Sequence, residues 1–401
     1  MAPRIDLDTA RARVVAAVDE RADVLVDVSH RIHERPELLF EERFAADLLA
    51  STLEAEGFVV ERGAHGLETA FVGHPHHDGA ATGTGPRIAI LCEYDALPGI
   101  GHGCGHNIIA AAGLGAALAA ATVVSAADGR LDVIGTPAEE GGGGKVVMGD
   151  RGAFDGIDAP LAIHPAGVDL IQPQVIAIAT YEVEYFGRAA HAAAAPHQGR
   201  NALDAAVLGY NAVAALRQHM ASTDRVHGVF LKAGEKPNIV PDHTVAQWFV
   251  RSATAASLQG LKARVLACLE AGAAAAGCTM EVRQPWPEYT DLRSNRPLER
   301  LYAANSARVG RPVADPSPAT ALIVSTDMGN VSYRVPTIHP IVKVSPADVG
   351  LHSADFARWA ASPEGDRGVL DAAKAMAMTV VDLWLRPESL AEVRDAFDPA
   401  P

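Results

Sequence analysis

Positive charge is in short supply: 34 lysines and arginines face 49 acids, leaving a net charge of −15 over 401 residues. That balance argues against a nucleic-acid footprint or a polybasic membrane patch, though not against a local cationic pocket for a carboxylate. Cysteine is also scarce. Cys92, Cys104, Cys268 and Cys278 form no C-x-x-C pair, so no disulfide framework is expected and a reducing cytoplasm fits best. Cys92, Cys268 and Cys278 lie in apolar or helical surroundings and read as core thiols. The N-terminal Met1-Ala2-Pro3-Arg4-Ile5-Asp6 lacks an apolar run, so no signal peptide is expected. The uncharged stretch from Ile108 to Ala127 has the length of a membrane span, but it is mostly Ala and Gly, with no aromatic belt or basic flank. It reads as a buried helix. No G-x-S-x-G elbow occurs, which removes the commonest serine-hydrolase pattern.

Two segments carry the chemistry. In Gly101-His102-Gly103-Cys104-Gly105-His106-Asn107, a thiol and an imidazole stand two residues apart in a glycine-rich loop. The glycines do not complete G-x-G-x-x-G, because His106 stands where the last one belongs. Some thirty residues on, Thr136-Pro137-Ala138-Glu139-Glu140 runs into Gly141 to Gly144. Lys145 is followed by Val146 and the leading glycine is missing, so this is no phosphate-binding Walker loop. Cys, His and Glu are the ligand set of zinc and its neighbours, and a spare Glu beside a metal is a ready general base. Adjacent Glu139 and Glu140 point different ways unless the turn is sharp, so one is expected on a metal and the other on its water. His164, ending an apolar strand before Pro165, and His352, in Leu351-His352-Ser353-Ala354-Asp355, gain weight from the set rather than singly.

Other histidines are set aside. His33-Glu34-Arg35-Pro36-Glu37 starts like a zincin helix, but Pro36 breaks the turn and Glu37 stands where His is needed. His74, His76 and His77 fall in a Pro/Gly-rich stretch that reads as an exposed loop.

At 49% hydrophobic and 21% charged residues, the chain is globular and long enough for two cores. Apolar spacing from Leu7 to Ile32 predicts an opening amphipathic helix. Short apolar strands at Ile88–Cys92, Leu131–Gly135 and Leu161–Ile163 then alternate with helices such as Ile108–Val124. This is the pattern of an α/β fold with a mainly parallel sheet flanked by helices, whose ligands gather at strand carboxyl ends. From Ile176 to Arg283 the order becomes βαββαβ, a ferredoxin-like α+β domain inserted into the first. The expected division is 1–178 and 291–401 for the catalytic domain and 179–290 for the insert.

On these motifs the chain resembles the dinuclear-metal aminoacylase, dipeptidase and carboxypeptidase family of amide hydrolases. Cys104-Gly105-His106 is similar to the motif of its auxin-conjugate and hippurate hydrolases. Three runs resemble the branch of aminobenzoyl-glutamate hydrolase and β-alanyl-lysine dipeptidase: Cys92-Glu93-Tyr94-Asp95-Ala96-Leu97-Pro98, the Gly-His-Gly-Cys-Gly-His-Asn segment, and Ser325-Thr326-Asp327-Met328-Gly329-Asn330-Val331-Ser332. The likeness runs from His33-x-x-Pro36-Glu37 to the His352 motif. It implies a zinc-peptidase-like fold whose insert is a dimerisation lid, hinged near Ile178 and Tyr289. It implies that Cys104, His106, Glu140, His164 and His352 bind two divalent ions per subunit, zinc by thiolate preference, with manganese acceptable to the carboxylates. Glu139 would be the general base and Asp95 would orient the site. His191, in Gly187-Arg188-Ala189-Ala190-His191, would reach across a homodimer to polarise the scissile carbonyl. Asn238, Arg251 and Ser325 would bind substrate. The family's usual His-x-Asp pair reads Glu93-x-Asp95 here, and Cys104 replaces its bridging Asp. The expected activity is hydrolysis of N-acyl or N-aroyl amino acids or small dipeptides, with no nucleic-acid or membrane partner. Two alternatives are a catalytically silent binding or partner subunit of the same fold and a nucleotide-binding protein, which both glycine motifs disfavour.

Overall fold

All but the first residue of the strand Arg87–Cys92 are buried, as expected where helices cover both faces of a sheet. It runs parallel to Arg130–Gly135 on one side and to Ala159–Leu161 on the other. The computed structural model, which describes residues 5–76, 85–317 and 322–398, places these three strands in a five-stranded sheet. Phe58–Arg62 and Phe71–Pro75 extend it antiparallel. The parallel part is therefore the one legible in the apolar runs, while the antiparallel extension is hidden by its polar residues and by Gly73 and Pro75. His74 lies on this extension, not in a loop, with its Nδ1 2.9 Å from Asp132 Oδ1. His77 lies outside the described residues.

The uncharged segment forms the helix His106–Ala121, buried at every position but the last. A helix that is apolar all round belongs in a core. It packs against the strand Arg87–Cys92 and the helices Leu7–Asp19, Ala22–Glu34 and Pro363–Leu385. No helix among the described residues is long and apolar enough to cross a membrane. The opening helix differs from expectation. It is broken at Glu20 and Arg21 into Leu7–Asp19 and Ala22–Glu34, and the Arg21 guanidinium turns back to Ala17 O and out to Glu56. The apolar spacing runs through this break, which is why it reads as one element.

Two compact units emerge, Met1–Gln174 with Leu292–Pro401, and Val175–Asp291. The second is an antiparallel sheet ordered Thr279–Arg283, Ala177–Phe186, His243–Ser252, Arg225–Lys232. Helices Ala202–Leu216 and Ala255–Ala276 complete it, the latter started by a Thr254/Ser257 capping box. Its strand His243–Ser252 alternates between buried and half-buried residues, the period-two signature of a strand with one face on a core. Tyr185, Trp248, Val265 and Leu269 fill that core. Ile178 and Tyr289 exchange both backbone hydrogen bonds, at 2.9 and 3.0 Å.

One glycine decides how the first unit presents its chemistry. Gly105 precedes His106 with φ +77°, and a Cβ there would lie 2.6 Å from Pro165 Cγ. An L-residue meets both left-handed strain and overlap, each costing about 1–3 kcal/mol. Gly105→Ala is therefore expected to destabilise the protein by roughly 2–4 kcal/mol, measured by denaturant unfolding. An unchanged midpoint would contradict this packing.

Candidate metal centre

The loops that follow the parallel strands converge. Glu93 and Asp95 come directly after Arg87–Cys92, and Cys104 lies in the glycine loop that leads into the helix His106–Ala121. Glu139 and Glu140 follow Arg130–Gly135. His164 does not end the apolar strand, which covers Ala159–Leu161 and stops three residues earlier; it opens a separate short strand, His164–Ala166, which runs parallel to Ile341–Lys343. His352 is tied to the same loop as Cys104 through its N–H, which donates to Gly103 O at 2.9 Å.

The Cys104 Sγ lies 3.4 Å from Nε2 of His164 and 3.4 Å from Nε2 of His352. Three overlapping donor groups result: Cys104, His106 and His164; Cys104, Glu140 and His352; and Glu93, His106 and Glu139. Hydrogen bonds fix which histidine nitrogens face inward. His106 Nδ1–H donates to Asp95 Oδ1 at 2.9 Å, and His164 Nδ1–H donates to Pro165 O at 2.8 Å. Both rings thus turn Nε2 to the centre, the arrangement metal-bound histidines adopt. His106 Nε2 is 3.8 Å from Glu93 Oε2, 3.8 Å from Glu139 Oε2 and 3.9 Å from Glu140 Oε1. For neighbouring Glu139 and Glu140 the exception of a sharp turn is the one that applies. Ala138, with φ +57°, makes the turn sharp enough for both carboxylates to reach one nitrogen.

Glu93 Oε2, His106 Nε2 and Glu140 Oε1 are buried and have no hydrogen-bond partner among the described residues. Such groups are costly to bury unless something meets them. A divalent cation would meet all three, so the donor set fits a metal. The charges agree. Burial and the surrounding charges of Glu93, Glu140 and Asp327 push the Glu139 carboxyl well above its ordinary range. Burial, then Glu140, does the same to the Cys104 thiol. Burial disfavours charge on His106, but Asp95 and Cys104 together outweigh it and raise that imidazole. Burial with neighbouring His339 and His106 lowers His164 to about 3, leaving it a neutral ring able to ligate.

The second unit carries His191, Asn238 and Arg251. His191 and Asn238 lie on facing loops, joined by Ala192 N–H donating to Asn238 O at 3.0 Å. His191 Nδ1 accepts from the N–H groups of Ala193 at 3.3 Å and Ala194 at 3.2 Å. The ring proton is thereby assigned to Nε2. Arg251, half-buried on His243–Ser252, stacks its guanidinium 5.7 Å from the Phe249 ring centre. Ser325 is half-buried in the first unit, two residues before Asp327.

These donors sit in a recognisable sequence context. Residues 89–355 match the model of peptidase family M20/M25/M40. The chain belongs to that family. As an M20 peptidase it is a metal-dependent hydrolase acting on amide bonds. It is 36% identical to the human Xaa-Arg dipeptidase over 98% of its own length and 93% of that protein's. It is 30% identical to one of the subunits of the p-aminobenzoyl-glutamate hydrolase of Escherichia coli, over 94% and 92% respectively. Among solved structures, a dinuclear metal-binding M20 peptidase from Bacillus subtilis superposes with a TM-score of 0.67 at 19% identity, covering 90% of this chain and 98% of that one.

Four residues at the M20 centre carry no sequence signal strong enough to single them out: Glu42, Lys145, Asp327 and His339. Glu42 sits in an acidic stretch that looks solvent-exposed yet is fully buried. Its Oε1 accepts from the N–H groups of Phe40 at 3.0 Å and Ala138 at 2.9 Å, and its Oε2 accepts from Thr69 Oγ1 at 2.9 Å. It therefore pins the strained turn that aims Glu139 and Glu140. His339 packs edge-on against His164, ring centres 5.6 Å apart.

Burial, reinforced by the charge of Asp95, raises the Glu42 carboxyl from 4.5 to about 7. Between those values the folded state keeps a proton that the unfolded chain has released. Stability from this group is full below the lower value and is lost as pH rises through the upper one, by roughly 3 kcal/mol. Glutamine keeps one oxygen for both backbone donors and cannot ionise. Glu42→Gln should therefore gain on the wild type by up to roughly 3 kcal/mol between about pH 5 and pH 8, measured by denaturant unfolding. A pH-independent difference would contradict a retained proton.

Proposed function

We propose that this M20 peptidase cleaves the amide bond of a dipeptide or an N-acyl or N-aroyl amino acid at two divalent ions that share Cys104. The observation that carries this is the single Cys104 sulfur facing two histidine nitrogens at equal distance. One set is Cys104, His106 and His164, the other Cys104, Glu140 and His352. A thiolate shared by imidazoles favours zinc, while the carboxylates would also accept manganese. Bound there, the ions would supply Lewis acidity and a lowered pKa for water.

Glu139 is the general base in this reading. It takes the proton of the attacking water and returns it to the leaving amine. Asp95 orients His106 and, through the Glu140 N–H that donates to its Oδ2 at 2.9 Å, the next ligand as well. His191 has its Nε2–H available to donate to the oxygen that gains charge. Asn238, Arg251 and Ser325 hold the substrate, Arg251 through a carboxylate.

The second copy needed to deliver His191 is supported by the outer strand Arg225–Lys232. It ends the four-stranded sheet and exposes Val229, Phe230 and Leu231 at 60%, 40% and 56%. An apolar edge of that kind suits pairing with its own copy in a homodimer. All four cysteines are free thiols, which suits the cytoplasm. The alternative, a silent partner subunit, sits poorly with the complete donor set and with Glu139 beside it.

The test is amine release from Xaa-Arg dipeptides, aminobenzoyl-glutamate and N-acetyl amino acids by protein loaded with zinc or manganese. Hydrolysis of a panel member is expected, with Glu139→Gln lowering kcat by about 10²–10⁴-fold while retaining metal. Full activity in that variant would overturn the assignment of the base. Silence of the metal-loaded wild type across the panel would favour the partner-subunit reading.

A further inference from the structure

Lys145 plays no part in the chemistry above, and its surroundings are unusual for a lysine. It follows the Glu139–Gly144 turn, in the short helix Gly144–Asp150, with its side chain wholly buried. Its Nζ lies 2.7 Å from Glu93 Oε1 and 2.7 Å from Asp327 Oδ1. Its backbone N–H donates to the other oxygen of Asp327 at 2.9 Å. Both carboxylates are themselves fully buried. The turn that aims the lysine is closely fitted, since a Cβ on Gly144 would lie 1.8 Å from Pro137 O.

The second oxygen of Glu93 points the other way, into the centre. It stands 3.8 Å from His106 Nε2, beside Glu139, with no hydrogen-bond partner among the described residues. Glu93 is thus held at one end by an ammonium and at the other faces the space a cation would take. A catalytic ion needs an open position, and a carboxylate free to swing onto it with both oxygens would close one. Five carboxylates, those of Glu93, Asp95, Glu139, Glu140 and Asp327, crowd this region.

We propose that Lys145 is a positioning residue that serves as an internal counter-cation. Clamped between Glu93 and Asp327, it keeps Glu93 from closing over the ions and offsets part of the negative charge. Glu93 then offers the centre one oxygen at most, beside the Cys104 donor sets. The inference rests on the metal centre proposed above.

The consequence has an unusual sign. Removing most buried supports of a metal site loosens the metal, whereas removing a positive charge this close tightens it. In the full-length protein, Lys145→Met is expected to bind zinc on the order of tenfold or more tighter, read by competition with a chromophoric chelator, with kcat reduced. Lys145→Met combined with Asp327→Asn restores the charge balance and should return the affinity towards wild type. If Lys145→Met does not fold, Asp327→Asn alone carries the test, and should bind zinc more weakly. Unchanged or weaker binding in folded Lys145→Met, or unchanged or tighter binding in Asp327→Asn, would overturn the proposal. A wild-type protein that binds no zinc would instead overturn the metal centre itself.

Discussion

Asp95 has two oxygens, and each commits to a different half of the centre. One takes the Nδ1 proton of His106, the other the backbone N–H of Glu140. The first bond sets the tautomer and orientation of a ring that opens the central helix. The second fixes the turn that carries Glu139 and Glu140. Ala96, the next residue, donates its N–H to Glu37 O at 2.8 Å, and Glu42 then reaches from the same opening segment to Ala138. Two catalytic loops from different strands are thus held in one frame by a fully buried carboxylate and the segment around Pro36. Placement of this kind allows a strained Ala138, because the surroundings over-determine it.

The frame gathers negative charge that the protein alone does not neutralise. Glu93, Glu139 and Glu140 all approach one imidazole nitrogen, and burial makes each expensive to ionise without a partner. Glu93 and Asp327 find theirs in Lys145, whose charge keeps Glu93 ionised, down to about 2, in spite of its burial. Cations bound at the centre would offset the charge of the Glu140 carboxylate and of a Cys104 thiolate. Folding and metal loading are therefore linked, since the ions offset electrostatic work done when the loops converge.

Much of this was legible in the sequence. Two strands of the parallel part, the central helix and the four strands and two long helices of the second unit follow from apolar periodicity, while the third parallel strand lies two residues earlier than its apolar run suggests. Cys104, His106, Glu139, Glu140, His164 and His352 stand out as donors near the ends of apolar strands or in glycine loops, and the structure brings these six together. What periodicity could not show is of two kinds. The antiparallel extension at Phe58–Arg62 and Phe71–Pro75 is short, polar and interrupted by Gly73 and Pro75, so its hydrophobic signal is weak. Glu42, Lys145, Asp327 and His339 are polar residues whose burial depends on contacts between segments far apart in the chain. Lys145 in particular, once a phosphate loop is dismissed, carries no signal until its two carboxylate partners are known.

Cobalt substitution probes the proposed sharing of Cys104 most directly. Two equivalents of cobalt titrated into the metal-free protein should produce a thiolate-to-metal charge-transfer absorption that saturates with the second ion and disappears in Cys104→Ser. A spectrum without a thiolate band, or a band that survives in Cys104→Ser, would contradict a centre built around that sulfur.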